Sequence, residues 1–119
     1  MNRKKRELFF YKNYFREYYS RQTPKVQKKI LRTFRLIEEL ERIPDIFLKH
    51  LENTDGLYEI RVQMGNNAFR IFCFFDTNNL VIVGHGFRKK TQKTPPGEII
   101  RAEKIKREYY EEKQKSDKS

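Results

Sequence analysis

Two arginines stand inside segments that read as strands, Arg61 in LYEIRVQM and Arg70 in AFRIFCFF, and three more cations, Arg88, Lys89 and Lys90, follow the segment LVIVGHGF. A guanidinium flanked by Phe69, Ile71 and Phe72 is costly to bury unless it meets an anion or a set of acceptors. Either Arg70 pairs with a carboxylate of the same sheet, Glu59 or Asp76, or it converges with Arg61 and the Lys89-Lys90 pair on a phosphate. Side chains alternate along a strand, so Leu57, Glu59, Arg61 and Gln63 share one face and Tyr58, Ile60 and Val62 the other. Cleavage of RNA through its 2′-hydroxyl needs such cations for the charged phosphorane, together with a base and an acid. Histidine, titrating near ~6.5, suits either proton transfer. The candidate catalytic set is therefore Arg61, Arg70, Lys89, Lys90, His50 and His85, with Lys49, Arg88 and Lys93 as RNA-binding cations. For each histidine alone, packing or surface exposure is the simpler role.

Other chemistries find no footing in the motifs. There is no P-loop, GxSxG, HExxH or CxxC pattern, and the two histidines show no metal-ligand spacing, so neither a metal nor a cofactor is expected. Cys73 is the single cysteine and sits between Phe72 and Phe74, which suits a packed thiol and a reducing cytoplasm. No apolar run approaches the ~20 residues of a membrane span, which predicts a soluble cytoplasmic protein with no membrane contact.

The formal net charge of +11 arises from 27 Lys and Arg against 16 Asp and Glu. It is concentrated in residues 1–30, with 10 cations and 2 anions, and in residues 61–90, with 5 and 1. So basic a chain points to a polyanionic partner such as nucleic acid, or to an acidic protein.

The elements that must position these residues follow from pattern. At 119 residues the chain makes one domain, expected over 1–112, with 113–119 as a disordered basic tail. Arg6–Tyr11 reads as a first strand preceded by a frayed basic end at Asn2–Lys5. Asn13 is placed to cap a short helix to about Ser20, with Phe15, Tyr18 and Tyr19 facing inward. Thr23-Pro24 opens a second helix, whose Val26, Ile30, Leu31, Phe34, Ile37 and Leu40 recur at helical spacing up to Glu41–Arg42, ahead of Pro44. Residues 43–55 read as a connection. Leu57–Met64, Ala68–Phe75 and Leu80–Phe87 are antiparallel strands joined by turn-forming residues. Thr94-Pro95 repeats the cap-plus-proline start for a last helix carrying Ile99, Ile100, Ala102, Ile105 and Tyr109. The order predicts an α+β fold: a small antiparallel-rich sheet with an N-terminal helical hairpin and a C-terminal helix.

The runs GLYEIR, AFRIFCFF and LVIVGHGFRKKTQKTPPGEIIRA, in this order and spacing, resemble the RelE/ParE superfamily of bacterial toxins, most closely its phage-derived HigB-like branch. The resemblance covers about half the chain. It implies a RelE-like fold and a toxin of a type II toxin-antitoxin system: a metal-independent endoribonuclease, or mRNA interferase, that cuts mRNA on the ribosome and inhibits translation. Its partners would be that mRNA and a cognate antitoxin of helix-turn-helix type. It puts Arg61, Arg70 and Lys89 or Lys90 on the scissile phosphate, and His50 where some such toxins use a histidine. Relatives of the same fold inhibit gyrase instead. A non-catalytic phage-derived binding or regulatory module is the third implied reading. An acidic antitoxin segment is expected across the basic groove or against the helical hairpin, with exposed members of Tyr11, Tyr14, Phe15 and Tyr18 as anchors.

Overall fold

The structure, a computed structural model, describes residues 4–117. One five-stranded sheet lies between two helical layers. Its strands are β1 (Glu7–Phe10), β2 (Leu48–His50), β3 (Tyr58–Met64), β4 (Asn67–Asp76) and β5 (Leu80–Lys89), in the spatial order β1-β5-β4-β3-β2. All neighbours are antiparallel except β1 and β5, which run parallel. The helices are α1 (Tyr14–Ser20), α2 (Pro24–Glu39) and α3 (Pro96–Asp117). The expected α+β architecture is the one observed.

The position of β4 explains its sequence. As the central strand it is covered on both faces, so Phe69 to Phe74 are all buried and, Arg70 apart, the run reads as apolar rather than alternating. One face of the sheet packs Ile60, Val62, Ile71 and Val83 against Phe15, Tyr18, Ile30 and Phe34 of the α1–α2 hairpin. The other packs Leu57, Phe72, Phe74 and Ile82 against Ala102 and Ile105 of α3. Gly86 faces α1, and a Cβ there would lie 2.6 Å from the buried Tyr18 ring, so only glycine lets that helix approach.

Several boundaries differ from expectation for local reasons. The Asn13 side chain makes no cap bond; only its carbonyl accepts the Glu17 N–H, at 2.9 Å. Thr23 does cap α2, accepting the Val26 N–H at 3.3 Å. That helix stops at Glu39, where the Arg6 guanidinium donates to the carbonyls of Ile37, Leu40 and Glu41 at 2.6–3.0 Å. The strand β2, inside the stretch expected to be a connection, pairs Leu48 with Ile60 and His50 with Tyr58. Thr94 is not at the capping position of α3, which begins at Pro96, and its hydroxyl donates to Glu59. The expected disordered tail is helical as far as it is described: Lys113 holds Asp76 at 2.8 Å, and α3 continues to Asp117. Asn2 and Arg3 of the expected frayed end, and Lys118 and Ser119 of the tail, lie outside the described residues.

Between Ile71, which faces Gly86, and Cys73, which faces Val83, β4 has one residue and β5 has two, Gly84 and His85. This β-bulge resets the alternation of β5. Phe87 comes opposite Arg70 and Lys89 opposite Ala68, on the α3 side of the sheet.

Candidate functional site

Beyond the start of α3, the same sheet face is no longer covered by helix, and there its cations gather. Arg61 and Arg70 are directly paired across β3 and β4, and Lys89 follows on β5. With Lys90, Thr91 and Gln92 they line an open cleft of about 460 Å³. A second hollow of about 250 Å³, lined by Ile46, Arg61, Gln63 and Arg70, adjoins it through the two shared arginines. Lys49 is opposite Glu59 on the edge strand β2, on this same face.

A single buried carboxylate organises the group. Glu59 accepts a hydrogen bond from the Thr94 hydroxyl and stands 3.8 Å from Arg70 Nε. Arg70 Nη1 donates to its neighbour's carbonyl, Phe69 O, at 3.0 Å, while Nε has no hydrogen-bond partner. Burial, and then the Arg61 charge, lower the pKa of the Arg70 guanidinium, against the opposing pull of Glu59. The Lys89 amine is likewise lowered, first by burial and then by Arg70, with Arg61 and Lys49 adding to it. Arg61 is more exposed and reaches the Asp45 carbonyl at 3.3 Å. Thus Arg70 is paired to Glu59, not to Asp76, and it shares the cleft with Arg61, Lys89 and Lys90.

The histidines are elsewhere. His50, opposite Tyr58, lies on the α1–α2 side and packs edge-on against the Tyr58 ring at 5.2 Å. His85 is buried, stacks on Phe72, and its Nε2 lies 3.0 Å from Glu98 Oε1 at the start of α3. Burial lowers its pKa, with Glu98 opposing. Neither lines the cleft, so the acid–base pair anticipated from sequence is not assembled around the cations. Arg88 opposes Phe69 on the other face, where it donates to Asn67. Lys93 is exposed in the turn before α3, outside the cleft lining, its carbonyl accepting from Thr91 at 2.6 Å. Among the described residues, no cluster of three His, Cys, Asp or Glu side chains could hold a metal. Sequence reasoning missed Ile46, which no periodic signal marks, as well as Thr91 and Gln92. Gln63 was legible on the face of Arg61.

A family model described as "Phage derived protein Gp49-like (DUF891)" matches residues 17–107. The chain belongs to this phage-derived family. No curated protein matches it. The match replaces the RelE/ParE and HigB-like resemblance, and the readings drawn from it fall as well: toxin of a toxin-antitoxin system, mRNA interferase or other endoribonuclease, and gyrase inhibitor. The proposed antitoxin anchors are corrected in part too: Tyr11, Phe15 and Tyr18 are buried, and only Tyr14 is half-exposed.

Proposed function

We propose that this Gp49-like protein is a non-catalytic binding module that grips a nucleic-acid strand by its phosphates in the cleft of Arg61, Arg70, Lys89 and Lys90. The observation that carries the reading is the imbalance there: three cations on three adjacent strands and Lys90 just past the last of them face one buried carboxylate, Glu59, leaving a net charge of about +3 (4 − 1). Such a field attracts phosphodiesters without reading bases, while Gln63, Thr91 and Gln92 offer hydrogen bonds to phosphate or sugar. Lys49 extends the path along the edge strand. The described residues include no helix long and apolar enough to cross a membrane, and we assign the module to the cytoplasm, where nucleic acid is at hand and the buried Cys73 thiol stays reduced.

The test is fluorescence anisotropy with a labelled single-stranded oligouridine over a series of salt concentrations. Binding is expected to weaken steeply with salt, and Arg61→Ala or Lys89→Ala should each reduce the log–log slope by about 0.7, the single-strand value per phosphate contact. Absence of binding at low salt, or slopes unchanged in both variants, overturns the reading.

A further inference from the structure

A different surface, on the opposite side of the molecule, has the features of a protein-docking site. The edge strand β1 has β5 on one side and no described strand on the other. The Tyr11 N–H points inward to Val83 O at 3.2 Å, so the alternating backbone turns the N–H and C=O of Phe10 outward. Phe9 and Phe10 are 48% and 43% exposed, large values for two aromatics on one short strand. Beside Phe10 runs a groove of about 360 Å³, floored by Phe15, Tyr19 and Leu31, the last 51% exposed. Its rim is basic. Arg16 lines the groove, and Lys28 and Arg35 stand one helical turn to either side of Leu31 on α2. Among the described residues none of these three has a carboxylate within ion-pairing distance. Lys12 also lines the groove, but Glu108 and Glu112 hold it at 3.0 Å each.

We propose that this edge and groove receive an extended acidic peptide segment of a partner protein, added to β1 as a sixth strand. Open backbone groups specify a strand, the aromatic and leucine floor specifies apolar side chains on its inner face, and Arg16, Lys28 and Arg35 specify carboxylates flanking them. A nucleic-acid strand could stack a base on Phe10, but it would not pair in register with both the N–H and the C=O that β1 leaves open. A second copy of the chain, packed through a two-fold axis, would bring the same basic rim against itself.

The probe is a fluorescein-labelled peptide, ETVTVTE, whose alternate residues put two valines between two glutamates on one face. Saturable binding to the full-length protein is expected, weakened about tenfold or more by Leu31→Lys and by Arg35→Glu. Both residues are exposed, and unchanged thermal melting of the variants keeps loss of fold out of the result. The same peptide N-methylated at alternate residues should also bind at least about tenfold more weakly, because strand addition needs its donors. The inference is overturned if KTVTVTK binds as well, if N-methylation is without effect, or if no saturable binding occurs up to ~1 mM. It is equally overturned if sedimentation shows a dimer that Leu31→Lys dissolves, or if phosphatidylserine vesicles bind through Leu31, since a second copy or a lipid surface would then own the site. Oligouridine binding in the cleft is measured independently of all these outcomes.

Discussion

The α3 side of the sheet carries two well-covered carboxylates, Asp76 beneath the helix and Glu59 beyond its start, and the molecule uses them differently. Asp76 ends β4 at the closed end, where it accepts hydrogen bonds from Tyr109 Oη at 2.6 Å, from Lys113 Nζ at 2.8 and 3.0 Å, and from the Thr77 N–H at 2.7 Å. Burial alone would raise its pKa, but those donors together hold it below the usual carboxylate range. Glu59, on β3 at the open end, meets Arg70 at 3.8 Å with Arg61 and Lys89 on the same face beyond it. One carboxylate matched to one cation gives a closed ion pair that fixes a helix. One carboxylate shared by several cations leaves charge over, and that remainder is available to a ligand.

The comparison breaks most sharply at Glu59. Glu59→Ala strands Arg70 in a buried site without its counter-charge, and should lower the unfolding free energy by about 3–5 kcal/mol in urea titrations. A loss below ~1 kcal/mol would mean that the open end is not held together by this pair.

At the closed end, Asp76→Ala removes the acceptor of Tyr109 and Lys113, for an expected cost of about 1–3 kcal/mol. It should also flatten the acid limb of stability. Because Asp76 has a depressed folded pKa, its contribution is complete above the unfolded value of ~3.9 and is lost as pH falls through the folded one. Thermal melts at pH 3 and pH 6 check both effects.

His85 sits between the two ends and carries a third expectation. Its folded pKa is depressed by burial, so the unfolded chain takes up the proton first, and stability should decline as pH falls below ~6.5. His85→Gln should remove that part of the pH dependence while leaving the lower, carboxylate-driven part. A slope unchanged between pH 5 and 7 would show that His85 is not its source.

The smallest stability effect belongs to Arg61→Ala, expected within about 0.5 kcal/mol of the parent because the side chain is only half-buried and donates to one carbonyl. Its large effect should fall on oligouridine binding instead. A variant as unstable as Glu59→Ala would erase the distinction between a residue that binds and a residue that holds.

Much of this arrangement was legible in the sequence because it rests on period. Alternation put Glu59, Arg61 and Gln63 on one face, and the apolar spacing of α2 marked Val26, Ile30, Phe34 and Ile37, which are buried, together with Leu40, which is half-buried, and Leu31, which is exposed. What escaped were features with no period. The three-residue β2 is too short to alternate detectably, and only Leu48 of it is buried. Thr94 before proline carries the local signal of a helix cap, yet α3 begins one residue later and the Thr94 hydroxyl donates to a carboxylate 35 positions away in sequence. His50 and His85 could not be assigned to a face without pairing register. Family membership was the hardest to read, since the short runs that suggested the RelE/ParE superfamily are also those of a Gp49-like chain.

The bulge at Gly84 and His85 gives β5 a spare residue. Ahead of it β5 packs Val83 toward the hairpin, and after it Phe87 and Lys89 share the α3 side with Arg70. Both bulge residues face α3 themselves: a Cβ on Gly84 would meet Ile105 at 3.7 Å, and His85 lies against Phe72. Deleting one of them would leave a single residue opposite Phe72, so the bulge would vanish while Phe87 stayed opposite Arg70 and Lys89 opposite Ala68. One added residue has no such outlet short of a wider bulge, and would otherwise turn Phe87 and Lys89 to the hairpin face. Relatives one residue shorter at this point should therefore keep the cation cluster, whereas relatives one residue longer should lose Lys89 from it.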